Sequence, residues 1–267
     1  ASYLADYDFA VHQQIMYWDL LEEEDVFSND ERLIITNFLL SSVRMSEGHL
    51  RTHDPKPGKL RHNHETFATL SIFMGGRYFG DYYDVEETER WLDEAEEVFS
   101  GPIERVVKHQ EDANLYQWIV PRHKLIWDLR NGVYTYRDNG VLEGLSHHII
   151  ATTDNLGWPS DFGDAGLPIS GGMGVATLLE TAAAHLDVPE LQWWVEKIIA
   201  ALPASSPRRL PGGTDLPGMA RVGPVRPDDP PVLDVLPLEP HIREMAAPEM
   251  PRIYVYDKAA LRDGFEP

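Results

Sequence analysis

Four consecutive polar residues, Arg61, His62, Asn63 and His64, stand directly ahead of a strongly apolar stretch, "ETFATLSIFMGGRYF". A guanidinium, an amide and two imidazoles are all hydrogen-bond donors, so together they can hold an anionic group. Arg51, Lys56, Lys59 and His53 lie just upstream, and Asp54 is the only acid between Arg51 and His64. This is a local positive island. A solvated loop would carry the same composition, but polar groups beside a buried helix need partners or a purpose. A second polar group follows in "HQEDANLYQWIVPRH", with His109, Glu111, Asp112, Tyr116, Arg122 and His123. Tyr116 opens a helical segment and can project into the same cleft as His64. The alternative is a core tyrosine whose hydroxyl meets a backbone carbonyl.

The elements that must position these residues read as helices for the first two hundred positions. "YLADYDFAVHQQIMYWDLLEEED" is one. Ser28 with Glu31 forms a capping box ahead of "RLIITNFLLSSVRM". Phe67, Leu70, Phe73 and Met74 recur at helical spacing. Asp84 and Glu87 offer another cap before the amphipathic "ETERWLDEAEEVF", and Gly101-Pro102 breaks that helix. "NLYQWIVPRHKLIWDLR" contains Pro121, which either kinks the segment or marks a helix start. "GVLEGLSHHIIATT" precedes a loop, "DNLGWPSDFGDAGLPISGG". "GVATLLETAAAHL" and "PELQWWVEKIIAAL" are then joined tightly by Asp187-Val188-Pro189. After Leu202, proline and glycine become dense, which predicts an extended arm, with "RIYVY" near the end as a short strand. The expectation is an all-α fold of antiparallel hairpins over residues 1–202, with 203–267 as the arm. Such hairpins curve into an α/α toroid or stack into a straight solenoid.

Bulk composition narrows the function. A chain of 267 residues that is 43 % hydrophobic can build a sizeable core. A net charge of -21 argues against nucleic-acid and anionic-membrane partners, while leaving room for an anionic substrate at the basic island. No apolar run reaches the roughly 20 residues that span a bilayer. The absence of cysteine removes disulfides and thiolate metal sites. No histidine–carboxylate motif at ligand spacing stands out, so neither a metal nor a cofactor is expected. His147 and His148 are adjacent and point to different faces of a helix, so they are not a chelating pair. One of them, His148, is a candidate for the cleft.

"NHETFATLSIFMGGRYF", followed by "EDANLYQ" and then "FGDAG", resembles the helical domain of toroid polysaccharide lyases. This group includes heparinase II/III-like enzymes, alginate lyases and glucuronan lyases. The likeness spans roughly residues 30–200. It implies an α/α toroid, here an incomplete ring because the helices are too few to close one, a polyuronate as the anionic partner, and a secreted or periplasmic location. The tail "RIYVYDKAALRDGFEP" resembles the lead-in to the β-sandwich that follows the helices in these lyases.

In that family an Asn-His pair ahead of one helix faces a tyrosine at the start of a later one; here those positions fall on Asn63, His64 and Tyr116. The implied chemistry is β-elimination. A base removes the proton at C5 of a uronic acid, and the C4–O bond breaks. The adjacent carboxylate makes that proton weakly acidic unless donors hold the developing enolate-like charge. Asn63 and His64 would hold the carboxylate. Tyr116 would act as base, given a positive neighbour to lower its ordinary pKa near 10, with His64 as the rival base. Arg61, His62, Arg122, His123 and His148 would bind the chain. Trp158 would stack on a sugar ring, whereas Trp193-Trp194 reads as helix packing. Two other readings fit the same residues. A glycoside hydrolase would draw its paired carboxylates from Glu65, Glu111, Asp112, Asp161 and Asp164. A non-catalytic module would bind polyuronate without turnover.

Overall fold

The computed structural model describes residues 8–53, 63–100, 118–159, 168–202, 222–229, 233–237, 256–262 and 264. Among them the chain is predominantly helical, with one small antiparallel pair of strands near the C-terminus. It divides into two compact units, Ala1–Ile103 and Glu104–Pro267.

The first unit is built around one helix. α1 (Asp8–Leu21), α2 (Asn29–His53) and α4 (Thr88–Phe99) all pack against α3 (Asn63–Tyr83). Residues on every side of α3 are buried, among them Phe67, Leu70, Ile72, Phe73 and Phe79. A helix apolar all round needs such enclosure. Its glycines set the approach distances. A Cβ on Gly75 would stand 2.7 Å from the Val43 methyls of α2, and one on Gly76 would stand 2.9 Å from Leu92 of α4. Small residues here let two neighbouring helices close on α3.

Local signals fix the helix ends. The predicted capping box forms: Glu31 N donates to Ser28 Oγ at 3.3 Å, and Ser28 N donates to Glu31 Oε2 at 2.8 Å. The second predicted cap does not. Glu87 takes the N-cap position of α4 without a side-chain hydrogen bond there. Its carboxylate instead reaches α2, where Arg44 Nη2 lies 2.7 Å away. Arg90 of α4 and Arg51 of α2 both close on Glu47, at 2.6 and 2.7 Å. The Arg44–Glu87 and Arg90–Glu47 pairs tie α2 to α4, and Arg51–Glu47 lies within α2.

The second unit contains α5 (Ile119–Arg130), the one-turn α6 (Thr135–Asp138), α7 (Val141–Ala151), α8 (Pro168–Leu186) and α9 (Pro189–Ala201). Pro121 lies in the first turn of α5, so it marks a start rather than a kink; a first-turn N–H has no helical partner to lose. α8 begins at Pro168, inside the segment predicted as loop through Gly172. Proline at the first helical position is pre-set for the helix, and this outweighs the following glycines. The α8–α9 connection is as short as expected, with Asp187 in the left-handed region (φ 56°) and Pro189 opening α9.

The predicted boundary after Leu202 falls inside this second unit. β1 (Leu233–Pro237) pairs with β2 (Tyr256–Leu261), with Val235 opposite Ala259. The strand predicted at "RIYVY" coincides with β2 only at Tyr256; residues 252–255 lie outside the described residues. The C-terminal segment is fastened to helices by polar contacts. Val225 N donates to the Pro189 carbonyl at 3.2 Å. Arg262 donates to Asn155 Oδ1 at 2.8 Å and to the carbonyls of Ile150 and Thr153, at the C-terminal end of α7. Its guanidinium also lies 5.4 Å from the Trp194 ring centroid. A cation at a helix C-terminus satisfies carbonyls that have no partner within the helix.

Candidate active site

α3 carries polar residues into a fully enclosed position, and most of them are satisfied locally. Thr66 Oγ1 donates to the Asn63 carbonyl at 2.8 Å, Thr69 Oγ1 to Glu65 O at 2.6 Å, and Ser71 Oγ to Phe67 O at 2.8 Å. Hydroxyls that fold back onto their own helix need nothing from outside. Asn63 is the exception. It is the first residue of α3, its exposure is 2 %, and its Nδ2 has no hydrogen-bond partner among the described residues. A buried amide donor left unmade costs free energy that a structural role would have recovered.

His64 follows it, half-buried, with the His49 ring of α2 6.1 Å away between centroids. The unmatched N–H groups of the first helical turn and its positive dipole end lie at the same place. Glu65, also in that turn, is buried. The head of α3 therefore gathers an amide, two imidazoles and a helix terminus, all suited to an anion.

The other predicted residues belong to the second unit or lie outside the described residues. Arg61, His62 and Tyr116 are outside them, as are Glu111, Asp112, Asp161 and Asp164. Arg122 is half-buried on α5, with Nη1 3.8 Å from where a Cβ on Gly174 of α8 would stand. His123 and His148, expected to bind substrate, are buried at 0 % and 4 % exposure. His148 packs edge-on against Trp118, with centroids 5.1 Å apart. The packing of α5 and α7 carries both imidazoles inward, to an exposure comparable with that of Asn63. His147 is exposed, so the two adjacent histidines do face different ways.

Trp158 is half-buried in a tight turn. Its N donates to Asp154 Oδ1 at 2.8 Å, and its carbonyl accepts from Asp154 N at 2.8 Å. Gly157 makes the turn possible. Its φ is +89°, and a Cβ there would fall 2.5 Å from the Lys197 carbonyl of α9. Trp194 is buried, as expected for packing, and Lys197 stacks 4.6 Å from the Trp193 ring.

Two described tyrosines have shifted acidity, and both move away from base chemistry. Burial, with the Glu22 carboxylate accepting its hydroxyl at 2.5 Å, pushes Tyr78 far above the ordinary phenol value. The nearby Asp19 carboxylate raises Tyr82. A phenol among carboxylates holds its proton more firmly. Neither Tyr78 nor Tyr82 is therefore suited to act as a base.

Sequence reasoning passed over two features. His49 is one. The other is the Lys124–Asp128 pair of α5, with Nζ 2.5 Å from Oδ1, both side chains buried and Nζ 4.7 Å from the Trp127 centroid. Its spacing of four residues was visible in the sequence, but its burial was not. The described residues contain no cluster of three or more histidines or carboxylates able to hold a metal.

No family model, curated protein or solved structure matches this chain. No helix among the described residues is long and apolar enough to cross a membrane. The chemistry of the site therefore rests on its own residues.

Proposed function

We propose that this protein is a polysaccharide lyase that cleaves a uronic-acid polymer, alginate or glucuronan-like, by β-elimination. The observation that carries this reading is the Asn63 amide: buried, without a partner for Nδ2, and beside His64 at the head of a long helix. Such a donor fits a ligand oxygen better than it fits a core. The likeness of "NHETFATLSIFMGGRYF" and "EDANLYQ" to toroid lyases supports the same roles, and a predominantly helical chain suits an α/α toroid.

In this mechanism Asn63 and His64 take the C6 carboxylate and hold the charge that develops as C5 loses its proton. Tyr116, as phenolate, removes that proton. The electron pair forms the C4=C5 double bond, the C4–O4 bond breaks, and O4 takes a proton from the Tyr116 phenol. Arg61, His62 and Arg122 contribute positive charge along the polymer, and Trp158 offers an aromatic face.

The test is incubation with a panel of polyuronates, following ultraviolet absorbance of the conjugated double bond. Absorbance should rise for at least one polymer, and Tyr116→Phe should abolish it while keeping most binding. New reducing ends without absorbance would instead show hydrolysis, and binding without any product would show a carbohydrate-binding module. Wild-type rates in Tyr116→Phe would remove that residue from the mechanism.

A further inference from the structure

His49 lies 14 residues upstream of Asn63 on a different helix, yet its ring stands 6.1 Å from that of His64, tilted by 36°. We propose that His49 is a further binding residue of the anion pocket at the head of α3, placing a second imidazole on the substrate carboxylate. This rests on the reading of Asn63 and His64 given above and extends it to α2.

The argument is geometric. A carboxylate has two oxygens and about four acceptor sites, and it is best held by donors that approach from more than one direction. Asn63 supplies one donor from the first residue of α3, and its burial leaves that donor no solvent to bond instead. His64 supplies a second from the same turn. Both belong to one element, so by themselves they approach from one side. His49 comes from the C-terminal part of α2, which packs along α3. Two rings at this separation can each donate about 2.8 Å to a different oxygen of one carboxylate. The turn's own N–H groups and dipole favour the same charge. Glu65, the acid of that turn, is buried and opposes an anion there, so the donors must outweigh it. The pocket would thus select a uronate over a neutral sugar by side-chain donors from two helices, with the two rings 6.1 Å apart before substrate arrives.

The experiment uses histidine ring carbon resonances of the whole chain, assigned with His49→Gln and His64→Gln. Sodium glucuronate is the titrant and glucose the neutral control. Both His49 and His64 should shift with glucuronate along one saturation curve, and neither should shift with glucose. His49→Gln should weaken glucuronate binding about tenfold, equivalent to roughly 1.4 kcal/mol. With a cleavable polymer it should raise KM more than it lowers kcat. A His64 shift with a silent His49, or wild-type affinity in His49→Gln, overturns the proposal even if lyase activity is present. Shifts of both rings without any unsaturated product support His49 while sinking the lyase reading. Where a glutamine variant folds poorly, through-bond assignment of the rings to the backbone identifies the same resonances, so the wild-type titration still decides.

Discussion

Replacing Asn63 with alanine should separate a ligand-binding amide from a structural one, because the two predict opposite changes in stability. A buried asparagine that holds the fold together makes hydrogen bonds, and its loss costs about 1–3 kcal/mol. Asn63 has 2 % exposure and an Nδ2 without a partner among the described residues. Removing an unsatisfied donor releases a desolvation penalty of about 1–3 kcal/mol. Alanine also favours the helix by up to roughly 0.7 kcal/mol. Against this stand the lost contacts of a small side chain and the space it leaves, together about 1–2 kcal/mol. The expected net lies between about 1 kcal/mol of destabilisation and about 2.7 kcal/mol of stabilisation. In a domain of 60–100 residues each kcal/mol moves Tm by about 4–8 °C. Differential scanning calorimetry without substrate reads this directly. In the same variant the rate of double-bond formation should fall about 100- to 1000-fold, as when one oxyanion donor is lost. Destabilisation beyond 1 kcal/mol would refute the reasoning, since it would mean that Asn63 is already used by the fold.

Three other perturbations follow from single contacts. Lys124→Met leaves Asp128 buried without its cation and should cost about 3–5 kcal/mol in urea denaturation, whereas Lys124→Met with Asp128→Leu should recover most of it; equal losses in the single and double variants would contradict this. Gly157→Ala places a Cβ 2.5 Å from the Lys197 carbonyl at φ +89° and should cost more than 1 kcal/mol, read as a lower denaturation midpoint. Ser28→Ala should cost about 1 kcal/mol through loss of the α2 cap. Hydrogen bonds from the Ser28 side chain, then its backbone N–H, hold Glu31 below its ordinary value of 4.5. That contribution is present above pH 4.5 and is lost as pH falls through the lower folded value. The stability difference between Ser28→Ala and the wild type should therefore shrink in acid, and a constant difference down to the acid limit would show the box to be irrelevant.

What could be read from the sequence was what local chemistry decides. The Ser28–Glu31 box, the start of α5 near Pro121, and the Asp187-Val188-Pro189 connection each depend on residues within a turn of one another, and each is found. The enclosed character of α3 was also legible, because apolar residues occupy every side of it. The misreadings share one cause. Glu87 had the chemistry of a cap but found Arg44, which is 43 residues away in sequence and adjacent only after α2 and α4 pack on α3. The predicted arm gave no sign that Arg262 would close on the end of α7, a partnership across more than 100 residues.

The candidate site divides along the same line. Asn63 and His64 were picked out from one turn, as polar donors directly before an apolar helix. His123 and His148 were picked out as side chains that would bind the polymer, and the packing of α5 and α7 turns them inward. His49 shows the reverse. On α2 it is a histidine between a glycine and a leucine, one turn before His53, and indistinguishable in sequence from any other half-exposed position. What gives it a role is the closeness of α2 to α3, and Gly75 permits that closeness by leaving the space that Val43 fills. The glycines of "FMGG" let the neighbouring helices close on the helix whose first turn bears Asn63 and His64. The proposed anion site at the head of α3 thus depends on core packing as well as on the donors themselves.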